Sequence, residues 1–306
     1  MAFLIIFRES VLPLFLIAAI AALYQRAARP DIKQIADAAL MVFAPVFVFN
    51  ALVSEDIAWA ALYGPFGLMV LLTGCLMLLA WGASRLLRLE AEDGLALILG
   101  CSMINVGNFG LPLIHFAYGQ QALNASVLVF VVFNLPLCTL AICLTSQKTA
   151  WAEMARDVAR IPIFHAMIAA MALTTVGISL PESVNKGLDL LGRAAIPLLI
   201  FVLGLQLAKI GVSSRIRAFI PVLAAAVFIR LVLSPVLAAG ITHFLGFSGL
   251  ERDVAVVQTS GPSALLPLMY AISFGRRTEL LASIILVTSL CSALTMPLVI
   301  AGVNWL

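Results

Sequence analysis

Charge is what this sequence most lacks. Only 11% of its 306 residues are charged, against 63% that are hydrophobic, whereas about a quarter of the residues of an ordinary soluble domain are charged. The shortage excludes a water-soluble globular chain and points to an all-α integral membrane protein. No polar stretch between the apolar ones is long enough to hold a soluble domain. The net charge is only +3, and the basic residues are spread over short links, which speaks against nucleic acid and for the lipid bilayer as a partner. No Asp-rich, His-Glu or Ser-His constellation falls at membrane depth. An enzyme is therefore not expected, and no catalytic residue is assigned.

Paired cysteine spacing is missing too. Cys75, Cys101, Cys138, Cys143 and Cys291 lie inside apolar segments, without the spacing of a zinc or redox motif. They read as small buried hydrophobes, and neither a metal nor a cofactor is expected. Acidic residues are absent from the centre of every expected span; Glu9, Asp37 and Asp189 come nearest, toward the ends. A carboxylate-bound sodium or a proton relay normally shows as a mid-membrane Asp or Glu. That absence disfavours sodium and leaves uniport, or proton coupling through Asp37 or a histidine such as His115.

What the chain has instead is long apolar runs. A spanning helix needs about 20 mainly apolar residues, and ten segments qualify: 3–24, 37–53, 58–87, 94–116, 122–145, 162–178, 187–208, 219–245, 252–274 and 279–303. The first contains Arg8-Glu9 and Pro13 and is not followed by a small-residue cleavage pattern, so a retained helix is expected. The longest polar link, 147–161, divides the chain into halves 1–146 and 162–306. Five spans in each half put the second half into the membrane upside down relative to the first. Ala44-Pro45-Val46-Phe47-Val48-Phe49 matches Ile196-Pro197-Leu198-Leu199-Ile200-Phe201 at an offset of 152 (197 − 45), and that offset also carries Asn108-Phe109-Gly110-Leu111 onto Ser260-Gly261-Pro262-Ser263. If the links alternate sides, most of the 18 basic residues crowd one side. The positive-inside rule makes that side cytoplasmic, so both termini are expected outside a cell inner (cytoplasmic) membrane.

Two spans carry residues that do not suit a lipid-facing helix. Span four contains Asn105-Val106-Gly107-Asn108-Phe109-Gly110-Leu111-Pro112, and span nine contains Gln258-Thr259-Ser260-Gly261-Pro262-Ser263-Ala264. Glycine and proline weaken a helix, and broken backbone at membrane depth occurs where it is buried or lines a cavity. Interrupted spans at matching positions of two halves point to a transporter's midplane site. Each half-helix N-terminus carries roughly half a positive charge, which suits a carboxylate. Asn105 and Asn108 could donate to its oxygens and Ser260, Ser263 and Thr259 could add hydroxyls, while Gly107, Gly110 and Gly261 let the backbone approach. Plain helix-to-helix contacts are the other reading of these residues.

Asn105-x-Gly-x-x-Gly-Leu-Pro-Leu113, Gly261-Pro262-Ser263-Ala264 before Phe274-Gly275, and Thr288-Ser289-Leu290 with Leu294-Thr295-Met296-Pro297-Leu298 resemble the auxin efflux carrier family, including its bacterial malonate and organic-acid branch. The resemblance implies ten transmembrane helices as two inverted five-helix repeats, in a fold similar to that of the bile-acid:sodium symporters. Broken helices 4 and 9 would cross at mid-membrane near Pro112 and Pro262. Helices 3–5 and 8–10 would form a transport domain, and helices 1, 2, 6 and 7 a scaffold. The expected function is secondary transport of a small organic anion, a malonate-like or other short carboxylate, by alternating access. An anion channel or a membrane sensor on the same fold is the alternative, and a homodimer stays open. Of the remaining polar residues, Asn50 and Gln206 either face the site from the scaffold or make helix contacts. Arg230, near the centre of span eight, is either the anion's counter-charge, the partner of a helix end, or a snorkelling side chain. Asp189 and Arg193, four residues apart, read as a structural pair.

Overall fold

A computed structural model of the chain describes residues 2–54, 59–146, 156, 161–210 and 216–303. Every regular element among them is helical. Seven helices are long and apolar enough to cross a membrane: α1 (Phe3–Ala28), α2 (Ile32–Val53), α3 (Trp59–Leu86), α6 (Gln120–Thr145), α8 (Glu182–Lys209), α9 (Ile216–Phe244) and α12 (Glu279–Val303). The protein is therefore a multi-pass membrane protein. A shorter apolar helix, α7 (Pro162–Val176), stands beside them. Between α3 and α6 lie α4 (Ala91–Ser102) and α5 (Leu111–Tyr118), and between α9 and α12 lie α10 (Gly249–Thr259) and α11 (Leu266–Ser273). The expected link 147–161 falls outside the described residues except for Arg156 and Ile161, as do Glu55 and Asp56.

Two spans begin earlier than their hydropathy suggests. α2 starts at Ile32, where the Asp31 side chain accepts from the Lys33 backbone N–H at 3.0 Å, an N-cap that turns a polar link into helix. α8 starts at Glu182, and its polar first part, Glu182–Arg193, carries the exposed ion pairs Lys186–Glu182 and Arg193–Asp189 at 2.6 and 2.7 Å, each adding only slightly to the helix.

Proline shapes four of the helices in one way. Pro13, Pro45, Pro112 and Pro235 each sit at the second position of a regular helical stretch, and a wider π-helical turn precedes each: Phe7–Val11, Ala39–Phe43, Val106–Gly110 and Phe228–Leu233. A proline has no N–H to give, and its ring crowds the carbonyl four residues back, so the turn before it opens. In α9 that wider turn contains Arg230, which is fully buried.

The helices pack in two groups. α1 lies along α8, and α2 along α7 and the first part of α8; α3, α4, α6, α9, α10 and α12 pack among themselves. Close approach of α1 to α8 depends on Gly204, where an added Cβ would stand 2.7 Å from the Cα of Ala18. At one end of the second group Arg276 donates to Glu92 at 2.6 Å and to the Thr145 carbonyl at 2.9 Å, and Arg277 donates to Glu90 at 2.5 Å. These bonds join the start of α4, the end of α6 and the end of α11. The Glu90 hydrogen bond also holds the pKa of Arg277, outside the spans, above its ordinary value.

Candidate functional site

Backbone from the two interruptions meets inside the second group. After α4 the chain runs extended through Met103, and Ile104 faces Ser263 in a single antiparallel bridge. The Asn105 N–H donates to the Pro262 carbonyl at 3.0 Å, and the Ala264 N–H donates to the Met103 carbonyl at 2.8 Å. Buried amides and carbonyls released from a helix need partners, and here each interruption supplies them to the other. The meeting residues are thus Ile104 and Ser263, with Pro262 taking part through its carbonyl. Pro112, expected at this point, lies farther along, in the first turn of α5. Its counterpart is Pro267, since Leu111-Pro112-Leu113 opens α5 as Leu266-Pro267-Leu268 opens α11. The constant offset of 152 read from span two does not hold here: the helices before the interruptions end at Ser102 and Thr259, 157 apart (259 − 102), and those after them open at Leu111 and Leu266, 155 apart (266 − 111). Residues 103–105 separate helix from wide turn in the first, and 260–265 separate helix from helix in the second.

Most of the polar side chains at this junction are turned on backbone. The Ser263 hydroxyl donates to the Gly100 carbonyl at 2.5 Å and accepts from Thr288 at 3.1 Å. Ser260 and Thr259 bond back to Val256 and Ala255 in their own helix, at 2.6 and 2.7 Å. Gln258, which opens the second expected stretch but was assigned no contact there, is fully buried. Its amide donates to the carbonyls of Val106 and Ser126 at 3.0 and 3.1 Å, and its oxygen accepts from the Ser126 hydroxyl at 2.8 Å. Gly110 makes room for it: a Cβ there would stand 2.8 Å from the Gln258 Cγ. A carboxamide in the turn before an interruption was the only sequence signal for this role.

Arg230 is spent in the same way. Nε donates to the Gly261 carbonyl at 2.8 Å and Nη1 to Cys101 at 3.3 Å, while Nη2 donates to Thr259. Of the readings open in the sequence, this geometry is the one in which the guanidinium partners helix ends. Its donors are directed at carbonyls where α4 and α10 stop.

Asn105 differs from its neighbours. The residue is 6% exposed, and its Nδ2 is buried with no partner among the described residues. Asn108, in the wide turn Val106–Gly110, is half-buried. A cavity of about 740 Å³ opens between the two helix groups. Asn50 and Phe47 of α2, Ile196 and Ile200 of α8, and His115 and Phe116 of α5 line it, with the Asp189–Arg193 pair at its edge. Of the expected site residues only Asn50 lines this cavity; Asn105, Asn108, Ser260 and Ser263 do not. His115 brings the cavity one helical turn from Pro112. Gln206, on α8, has a buried Oε1 without a partner among the described residues and lies away from the cavity.

Comparison with known proteins places this geometry. A sequence profile described as Membrane transport protein matches residues 146–300, just over half of the chain. The chain belongs to that family of membrane transport proteins. The match runs through α10, α11 and α12 and so includes the second interruption. Two archaeal relatives agree. An uncharacterized transporter of Methanocaldococcus jannaschii is 27% identical over 223 residues, 70% of each chain. Another, from Methanothermobacter thermautotrophicus, is 26% identical over 257 residues, 83% of each chain. At the level of the family, the resemblance to the auxin efflux carriers is borne out.

Proposed function

We propose that this membrane transport protein is a secondary carrier that moves a small organic anion, such as malonate or another short carboxylate, by alternating access. The observation that carries the reading is Asn105. An unpartnered carboxamide nitrogen, buried where two interrupted helices exchange backbone hydrogen bonds, costs free energy unless a ligand uses it. A carboxylate oxygen is a fitting acceptor, because the N-termini of the stretches beginning at Val106 and Leu266 add positive potential without a lysine. Asn108 supplies a second carboxamide. Gly110, Gly261, Pro112, Pro262, Ser260 and Ser263 shape and hold the junction, and Asn50 lines the cavity that leads toward it. On this reading the seven long spans, α7 and the pairs α4/α5 and α10/α11 make ten membrane crossings in two inverted five-helix repeats, divided near 147–161. The interrupted pairs cross at mid-membrane.

The two helix groups suggest how the carrier works. α3–α6 and α9–α12 form the transport domain, and α1, α2, α7 and α8 the scaffold. The cavity between them is the approach to the site, closed from Asn105 in this state. A shift of the transport domain would bring Asn105 and Asn108 to one side of the membrane and then the other. The basic residues that crowd one face put that face in the cytoplasm, with both termini outside an inner membrane.

The deciding experiment is uptake of labelled malonate, lactate and related short carboxylates into proteoliposomes, with sodium and pH gradients imposed separately. Saturable uptake of one acid, lost in Asn105→Ala while the protein keeps its thermal stability, is the expected result. Unchanged uptake and affinity in Asn105→Ala would move the site elsewhere. No uptake of any carboxylate would remove the organic anion as substrate.

A further inference from the structure

Arg230 is fully buried in the middle of α9, and no acidic side chain pairs with it among the described residues. A cation in that position is costly to hold in a membrane. What offsets the cost is the set of carbonyls it reaches. Cys101 closes the last turn of α4, and Thr259 and Gly261 close α10. The final carbonyls of a helix have no partner within it, and each helix C-terminus carries roughly half a negative charge. Two C-termini together offer about one negative charge, which one guanidinium matches.

In carriers built from interrupted helices, unwound carbonyls and half-helix C-terminal ends are where a coupling cation binds. Here those same group types are occupied by a side chain. We propose that the Arg230 guanidinium is a tethered replacement for a coupling cation. It neutralises both helix C-termini, leaves the N-termini beyond the junction to face the anion with a net positive potential, and makes anion binding independent of sodium. It does not touch the anion, so it is a positioning residue. The absence of a mid-span carboxylate follows from the same arrangement, since a site that already holds a cation has no use for one. The inference rests on reading the junction as a carrier's anion site.

The test uses the full-length chain purified in detergent, with thermal unfolding followed in sodium chloride, methylguanidinium chloride and choline chloride at equal ionic strength. Wild-type protein is expected to unfold at one temperature in all three. Arg230→Gln keeps polar donors and removes the charge. In choline its midpoint should fall by at least about 5 °C, the scale of a stability change near 2 kcal/mol in a chain of this size, and methylguanidinium or sodium should raise it saturably. Arg230→Lys keeps the charge and should show no preference among the three salts. An Arg230→Gln midpoint equally low in all three would overturn the proposal, as would a sodium response in the wild type or a response in Arg230→Lys as large as that of Arg230→Gln. These midpoints need no transported substrate, so a failure of the carboxylate assay and a failure of this inference are told apart. Where a carboxylate does bind, Arg230→Gln in choline should bind it about tenfold more weakly, with sodium restoring the affinity.

Discussion

Past the end of α4 the buried side chain of Asn105 has a donor with no partner among the described residues, whereas at the end of α10 Gln258, Thr259, Ser260 and Ser263 are all bonded to carbonyls or hydroxyls. Both segments share an order of helix, extended residues and a helix opening with Leu-Pro-Leu. They differ in which side chains the junction needs for its own closure. The second interruption clamps the first: Gln258 spans from Val106 to Ser126, and Ser263 reaches Gly100. The first keeps a carboxamide nitrogen with no partner among the described residues. Polarity within a broken helix is therefore no measure of ligand contact. The question is which donors remain after the backbone has been satisfied.

The largest expected effect on stability and uptake together is at the clamp. Gln258→Leu should lower stability by about 2 kcal/mol, because it strands the Val106 carbonyl and the Ser126 hydroxyl in a dry interior. A drop in thermal midpoint in detergent, together with loss of uptake, is the expected pair of results. If the midpoint does not move, the second interruption is not a clamp and the comparison breaks. Gly204→Val tests the scaffold alone by pushing α8 away from α1, with an expected loss of about 1 to 3 kcal/mol, the usual range for overpacking. Any uptake found in the proposed assay should survive wherever the protein remains folded, since the neighbours that a Gly204 side chain would meet are Ala18 and Ala21 of α1. Ser260→Ala sharpens the contrast with Asn105: its hydroxyl only returns to Val256, so stability should change by less than about 1 kcal/mol and uptake by less than about threefold. A large loss of affinity in that variant would put Ser260 in the site after all. The smallest effect belongs to the edge of the cavity. Asp189→Asn should leave stability within about 0.5 kcal/mol, since the Asp189–Arg193 pair is exposed and such pairs contribute little.

Much of the architecture could be read in the sequence. Hydropathy over about 20 residues is a strong signal, and it identifies the regions of all seven long spans and α7. The interrupted stretches could be read because glycine, proline and carboxamides seldom stand together in lipid-facing helix. The helix starts at Ile32 and Glu182 could not be read from hydropathy, since those helices begin in polar residues that carry a cap and two ion pairs. Nor could the register of the junction. One fixed offset between the halves joined Gly110 to Pro262, but insertions between spans change the offset along the chain, and only the facing of Ile104 and Ser263 reveals it.

By itself, then, the sequence determined that this protein lies in a membrane, that it crosses many times, and that two of its apolar stretches carry glycine, proline and carboxamides together. Those properties follow from composition and local backbone preference, which act over one or two turns of helix. The tertiary structure decided which polar groups find partners within the protein. Arg230, Gln258, Ser263 and Asn105 come from segments far apart in the chain, and whether a donor is satisfied depends on which carbonyl the fold brings within about 3 Å.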